Sequence, residues 1–174
     1  LLQRGHHFRT DTDTEVILAA YHEWGEDCFA RFNGMWAIVL WDERRQVLLA
    51  CRDHFGIKPL FYHEANGCFA FASEARALFG LPGINPRPDW ASLVRYMSRF
   101  AAPLGDSSYY AGIRQVPPGT YLRIEHGKPC ISAYWQPSGA VPARITDERE
   151  ALEQFQELFR DSVALRLRAD VPVG

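Results

Sequence analysis

The feature that most limits how this chain folds is residues 31–62, RFNGMWAIVLWDERRQVLLACRDHFGIKPLFY. Two apolar runs, 35–41 and 46–51, flank the charged stretch 42–45. Apolar runs this short, bounded by turn chemistry, predict strands, and their near-continuous apolarity predicts burial on both faces. The hairpin then runs into Arg52-Asp53-His54-Phe55-Gly56-Ile57-Lys58-Pro59-Leu60. There charge, glycine and proline break the pattern where no core explanation is obvious.

A doubly buried hairpin needs other layers, and the rest of the sequence offers them. Thr12 opens a helix that runs to Trp24: Thr12 and Glu15 have the spacing of a capping box, and Asp13 sits in the positive first turn. Ile17, Ala20, Tyr21 and Trp24 share one face, and Gly25 is suited to stop the helix. A short second helix is expected over 26–31. Residues 55–62 and 68–72 read as a second strand pair turned at Asn66-Gly67. Ser73 is expected to cap a short helix over 74–79, and Asp89 another with Trp90, Leu93, Val94 and Met97 on one face. Residues 101–108 read as irregular. A hairpin over 120–125 and 129–134 turns at His126-Gly127. Residues 137–145 read as a linker, after which Thr146 starts a helix ending near residue 168, with Leu152, Phe155, Phe159 and Val163 on its buried side. Strands and helices interleaved with hairpins predict an α+β class with antiparallel sheets.

Composition narrows the function. Of 174 residues, 47% are hydrophobic, enough for a full core. The 19 basic and 21 acidic residues leave a net charge of −2, and no run of one sign suggests a nucleic-acid or membrane partner. No apolar run reaches the roughly 18 residues of a membrane span. The four cysteines, Cys28, Cys51, Cys68 and Cys130, form no C-x-x-C pair. They read as buried free thiols of a reducing compartment, with the cytoplasm as the expected location. The chain lacks an initial Met and stops as a new apolar segment begins, so it reads as a fragment.

The chemical candidates are few. Asp13 is open to two roles, a helix-starting acid or a carboxylate that receives a ligand ammonium. Arg52, Asp53 and Lys58 read as a local ion-pair set holding a loop. Gly56 and Lys58 lack the further glycines and Ser/Thr of a phosphate loop. The six histidines show no metal-ligand spacing, so no metal site is expected. No serine elbow and no Cys–His pairing is visible. The residues alone show no complete catalytic set.

The ordered combination says more. Gly5-His6-x-Phe8-x-Thr10, Thr12-Asp13-Thr14-Glu15-Val16-Ile17, Asn33-Gly34-Met35-Trp36-Ala37 and Asp42 resemble the glutaminase domain of glutamine-hydrolysing asparagine synthetases. So do Arg52-Asp53-x-x-Gly56-Ile57-Lys58-Pro59-Leu60, Phe71-Ala72-Ser73-Glu74 and Pro117-Pro118-Gly119, all in family order. The end of the chain, LRLRADVPVG, is similar to the approach to the ATP-dependent synthetase domain of that family.

The resemblance implies an N-terminal-nucleophile sandwich of antiparallel sheets with flanking helices, incomplete at its N-terminus, followed by the first helix of an α/β ATP-pyrophosphatase domain. It divides the chain into 1–136 (the C-terminal part of a glutaminase domain), a linker over 137–145, and 146–174 (the start of a synthetase domain). It implies hydrolysis of glutamine through an N-terminal cysteine thioester, with ammonia passed to aspartate activated by ATP and Mg²⁺ as an aspartyl-adenylate. Asp13 then pairs with the α-amino group of glutamine. Thr12, Glu15, Arg52, Asp53, Gly56, Lys58, Pro59, Ser73 and Glu74 match the motifs as structural positions, with Arg52, Asp53 and Lys58 placed around the ammonia path and domain contact. Asn33-Gly34 matches the oxyanion element by dipeptide alone, so no catalytic role is assigned to it. The nucleophile is expected upstream of Leu1 and the ATP loop downstream of Gly174. Hence no catalytic residue, ATP or Mg²⁺ is expected on this fragment, which alone is expected to be inactive. A homodimer is compatible with the family. The rival readings are a relative that forms a lactam or another amide without glutaminase activity, and a non-catalytic scaffold.

Overall fold

The computed structural model describes residues 1–82, 84–137 and 147–167. The chain divides into two units, Leu1–Gln136 and Pro137–Gly174.

The first unit opens with α1 (Asp13–Trp24), followed by a 3-10 segment, Gly25–Arg31. Gly25 ends α1 at φ +58°, its N–H donating to the Tyr21 carbonyl. A four-stranded antiparallel sheet has the order β1-β2-β6-β7, built from β1 (Ala37–Asp42), β2 (Val47–Arg52), β6 (Thr120–Glu125) and β7 (Lys128–Ala133). A three-stranded antiparallel sheet has the order β4-β3-β5, from β3 (Phe61–Ala65), β4 (Cys68–Ala72) and β5 (Ile113–Gln115). Two short helices, α2 (Ala75–Leu78) and α3 (Trp90–Arg99), lie between β4 and β5 in the chain. This is an α+β architecture with antiparallel sheets.

The period of two along β2 explains the layering. Val47, Leu49 and Cys51 join Ala20, Cys28 and Phe29 in one core, beneath α1 and the 3-10 segment. Ala50 on the opposite face joins Leu122 and Ile124 with Leu60, Tyr62 and Val116 in a second core. Leu49 and Leu122 are almost wholly buried on these opposite faces, and each contributes about 1.5–3 kcal/mol. Two tight turns pin the registers. Asn66 and Gly67 both take positive φ, as do His126 and Gly127, the geometry that fits the right-handed twist of paired strands.

Several expectations are corrected. β1 is an edge strand with Val39 and Trp41 about half exposed, so only β2 is buried on both faces. Both strands of this hairpin start one or two residues later than their apolar runs. Residues 55–60 form a loop rather than a strand, because Gly56 and Pro59 interrupt pairing. Thr12 makes no side-chain cap bond, and Glu74, not Ser73, takes the N-cap position of α2. Asp89 does cap α3, accepting from the Ser92 N–H at 2.8 Å. Yet α3 exposes Trp90, Val94 and Met97 and buries Ser92. Cys28 and Cys51 are buried, whereas Cys68, beside the β3–β4 turn, and Cys130, on edge strand β7, are exposed.

In the second unit, α4 (Glu148–Arg166) starts at an Asp147 cap, whose Oδ1 accepts from Arg149 and Glu150 N–H groups at 2.8 and 3.3 Å. Leu152, Phe155, Phe159 and Val163 line one side of α4, with Phe155 and Phe159 stacked at 5.9 Å. None of its residues is buried, against expectation: one helix supplies no second layer for its own stripe. Thr146, most of the expected linker and the Asp170-Val171-Pro172-Val173-Gly174 segment lie outside the described residues.

Candidate functional site

The N-terminus of α1 and the segment entering β1 enclose a cavity of about 320 Å³. Asp13, Val16 and Ile17 line it from the helix, and Arg31, Asn33, Gly34, Met35 and Trp36 from the segment opposite. Asp13 is exposed to this space and makes no hydrogen bond or salt bridge among the described residues. The adjoining acid behaves differently. Glu15 Oε1 and Oε2 each accept from the Arg9 N–H at 3.0 Å, and Oε2 also accepts from the Thr10 N–H at 2.8 Å and the Thr10 hydroxyl at 2.7 Å. The Thr10 and Thr12 hydroxyls pair at 2.8 Å. The expected capping box is therefore replaced by a clamp: Glu15 reaches past Thr12 and folds residues 9–12 over the helix start. Those bonds, led by the Arg9 N–H, hold its carboxyl below the usual range.

The far wall is held from behind by Asp53. Its Oδ2 accepts from the Trp36 N–H at 3.2 Å and the Lys58 N–H at 2.9 Å. Its Oδ1 accepts from the Phe55 and Ile57 N–H groups at 3.1 and 2.9 Å. The Asp53 N–H returns a bond to the Trp36 carbonyl at 3.0 Å. Burial pushes this carboxyl's pKa up, but the four N–H donors outweigh it and the net direction is down.

Arg52 performs the complementary task. It donates to the carbonyls of Lys58 (2.7 Å), Gly56 (2.6 Å) and Val116 (3.0 Å), and to Gln115 Oε1 (3.2 Å). Arg52 and Asp53 form no salt bridge with one another among the described residues, so the expected ion-pair set is instead a pair of backbone clamps. Gly56 makes this packing feasible: at φ +64°, an added Cβ would meet Pro118 Cγ at 2.8 Å and Arg52 Cζ at 2.9 Å. Lys58 and Pro59 are exposed, and Lys58 joins the clamp through its backbone alone. Ser73 and Glu74, after β4, do not line the Asp13 cavity.

The structure adds residues that motif reading left without a role. Arg31 lies over the Trp24 ring at 4.6 Å. Asn33 and Gly34 wall the same cavity as Asp13. Trp36 stacks against Phe29 and Tyr134, and its buried indole N–H has no partner among the described residues. No cysteine lines the cavity. Burial pushes the Cys28 thiol up to about 11 and Cys51 higher still, the reverse of what a nucleophile needs.

An exposed carboxylate at a helix start, facing a walled cavity, fits a ligand cation of amino-acid size. A family model described as "Glutamine amidotransferase domain" matches residues 1–135. The chain belongs to that family. As an amidotransferase domain it has relatives of known name. Asparagine synthetase [glutamine-hydrolyzing] 3 of Bacillus subtilis is 35% identical over 173 residues, covering 99% of this chain and 28% of the relative. Asparagine synthetase [glutamine-hydrolyzing] 1 of the same organism is 34% identical over 172 residues, covering 98% and 27%. Amidase chyE of Penicillium rubens is 31% identical over 170 residues, covering 94% and 24%. The amidotransferase chain thus spans about a quarter of the length of the relatives it matches. Among its described residues, no helix is long and apolar enough to cross a membrane.

Proposed function

We propose that this chain is the glutamine-binding part of a glutamine-hydrolysing asparagine synthetase, and that Asp13 receives the α-ammonium group of glutamine. The observation that carries this reading is the carboxylate itself: among the described residues it stands unpaired beside a cavity of about 320 Å³, while Glu15 is engaged in holding the loop. A charge-assisted hydrogen bond there contributes roughly 1.5–3 kcal/mol. Glu15 and Asp53 act as positioning residues, one for each wall.

In this reading a cysteine thiol attacks the glutamine amide; no cysteine of this chain lines the cavity, and none of them is given that role. The synthetase part, which α4 begins in this reading, would pass the ammonia released from glutamine to aspartate, and ATP with Mg²⁺ would supply the activation there when bound. Among the described residues no group of three or more His, Cys, Asp or Glu side chains could hold a metal ion, and no residue of this chain is given a role toward Mg²⁺ or ATP. A cytoplasmic homodimer is the proposed form of the whole enzyme.

The test is Asp13→Asn in the full polypeptide. It is expected to raise KM for glutamine roughly 10- to 150-fold while amide synthesis from added ammonia is unchanged. Equal loss of both activities would remove Asp13 from the glutamine site. Amide formation with an acceptor other than aspartate would favour the amide- or lactam-forming reading.

A further inference from the structure

A second cavity, of about 280 Å³, lies in the same unit and shares no lining residue with the Asp13 cavity. His63 of β3 lines it from the three-stranded sheet. Ile84, Asn85 and Arg87, before α3 in the chain, and Ala111, after it, supply the other walls.

These side chains are presented from a fixed backbone. His63 sits mid-strand, paired with Ala70 of β4 and Ile113 of β5. Arg87 stands between Pro86 and Pro88, whose rings fix φ on both sides of it. Its carbonyl accepts from the Ala111 N–H at 2.8 Å, and the Asp89 N–H donates to the Tyr109 carbonyl at 2.9 Å. Pro88 and Tyr110 form a bridge between those two bonds. Ile84 packs against the buried Ala75, Leu78 and Ile113, which anchors the other end of the segment.

The polar groups of the cavity are open. Among the described residues the side chains of Asn85 and Arg87 make no hydrogen bond or salt bridge, and no acid lines the cavity. His63 Nδ1 lies 2.7 Å from the Gly112 carbonyl oxygen. A carbonyl only accepts, so Nδ1 carries the proton, and in the neutral ring Nε2 is left as an acceptor. The cavity thus combines a fixed positive charge, a side-chain amide and a ring nitrogen, with the apolar Ile84 and Ala111 beside them.

We infer that this cavity binds the phosphate group of a small ligand. A guanidinium offers paired donors to phosphate oxygens, and the Asn85 amide can add another. A phosphate group also keeps a proton with a pKa of about 6, which it can share with His63 Nε2. A carboxylate has no such proton near pH 7. The volume is below the roughly 300–1,000 Å³ of pockets for drug-sized ligands. The ligand is therefore free phosphate or a phosphate on a short carbon skeleton lying against Ile84 and Ala111.

The experiment follows phenylglyoxal modification of Arg87 in the full polypeptide by peptide mass spectrometry. Inorganic phosphate, glycerol 3-phosphate or acetate is present, at one ionic strength throughout. Arg99, exposed and outside the cavity, is the internal control. Phosphate or glycerol 3-phosphate is expected to slow modification of Arg87 several-fold and to leave Arg99 unchanged. Whichever acts at the lower concentration identifies the source of the phosphate group. His63→Gln and Asn85→Ala are each expected to weaken the protection several-fold, and Asn85, on an exposed loop, can be changed without touching the sheet. Absence of protection, equal slowing at Arg99, equal protection by acetate, or protection unchanged in both variants would each overturn the inference.

Discussion

Asp13 and Asp53 stand on opposite sides of one cavity wall and do opposite things with the same side chain. Asp53 is 1% exposed, and its two oxygens accept four backbone N–H groups, tying Trp36 to the 55–58 loop. Asp13 is exposed and has no partner among the described residues. A buried carboxylate is tolerated when its hydrogen bonds are complete, and it then organises the backbone around it. An exposed carboxylate beside a cavity contributes little to the fold and keeps its capacity for a ligand.

That contrast can be broken by substitution. The largest effect is expected for Asp53→Ala, which strands four part-buried N–H donors and costs about 3–5 kcal/mol of unfolding free energy. Asp53→Asn keeps one acceptor oxygen and loses less. Urea unfolding of the full polypeptide measures both, and a loss for Asp53→Ala below that for Asp13→Asn would reverse the assignment. Next comes Gly56→Ala, which forces a side chain into positive φ and against Arg52, at roughly 2–3 kcal/mol.

Acid sharpens the comparison further. The Asp53 carboxyl titrates below its usual range in the folded state, so the unfolded chain binds protons first as pH falls. Its stabilisation is full above about pH 4 and is lost on further acidification. An Asp53→Asn variant should therefore show a shallower acid limb in unfolding measurements than the parent. Glu15 follows the same sign, and Glu15→Gln is expected to raise KM for glutamine a few-fold by loosening residues 9–12. The smallest stability effect belongs to Asp13→Asn, within about 0.5 kcal/mol of the parent, and a larger loss would mean that Asp13 builds the helix rather than binds a ligand.

Local chemistry is legible in the residues themselves. The span of α1 and its stop at Gly25, the turns at Asn66-Gly67 and His126-Gly127, and the Asp89 cap are all readable, because each depends on residues within one turn of one another. The motif order likewise points to the amidotransferase family that the comparisons show. The motif singles out Asp13 but not its cavity, because Arg31, Asn33 and Trp36 reach it only when α1 packs across the start of β1. Glu15 misleads for a related reason: its spacing from Thr12 fits a capping box, while its bonds go to Arg9 and Thr10.

The sequence by itself determined the span of α1, the turns of the later hairpins and the Asp89 cap, and which acids stand at chemically interesting positions. Apolar patterning marks a face that can be covered without saying what covers it. Tertiary structure decided that β2 is buried on both sides while β1 lies at an edge, that Arg52 and Asp53 clamp backbone instead of each other, and that α3 turns its apolar stripe outward. These outcomes depend on contacts between residues far apart in the chain, such as Arg52 with Val116 and Tyr96 with Tyr109, whose geometry exists only once the sheets and their connections are assembled.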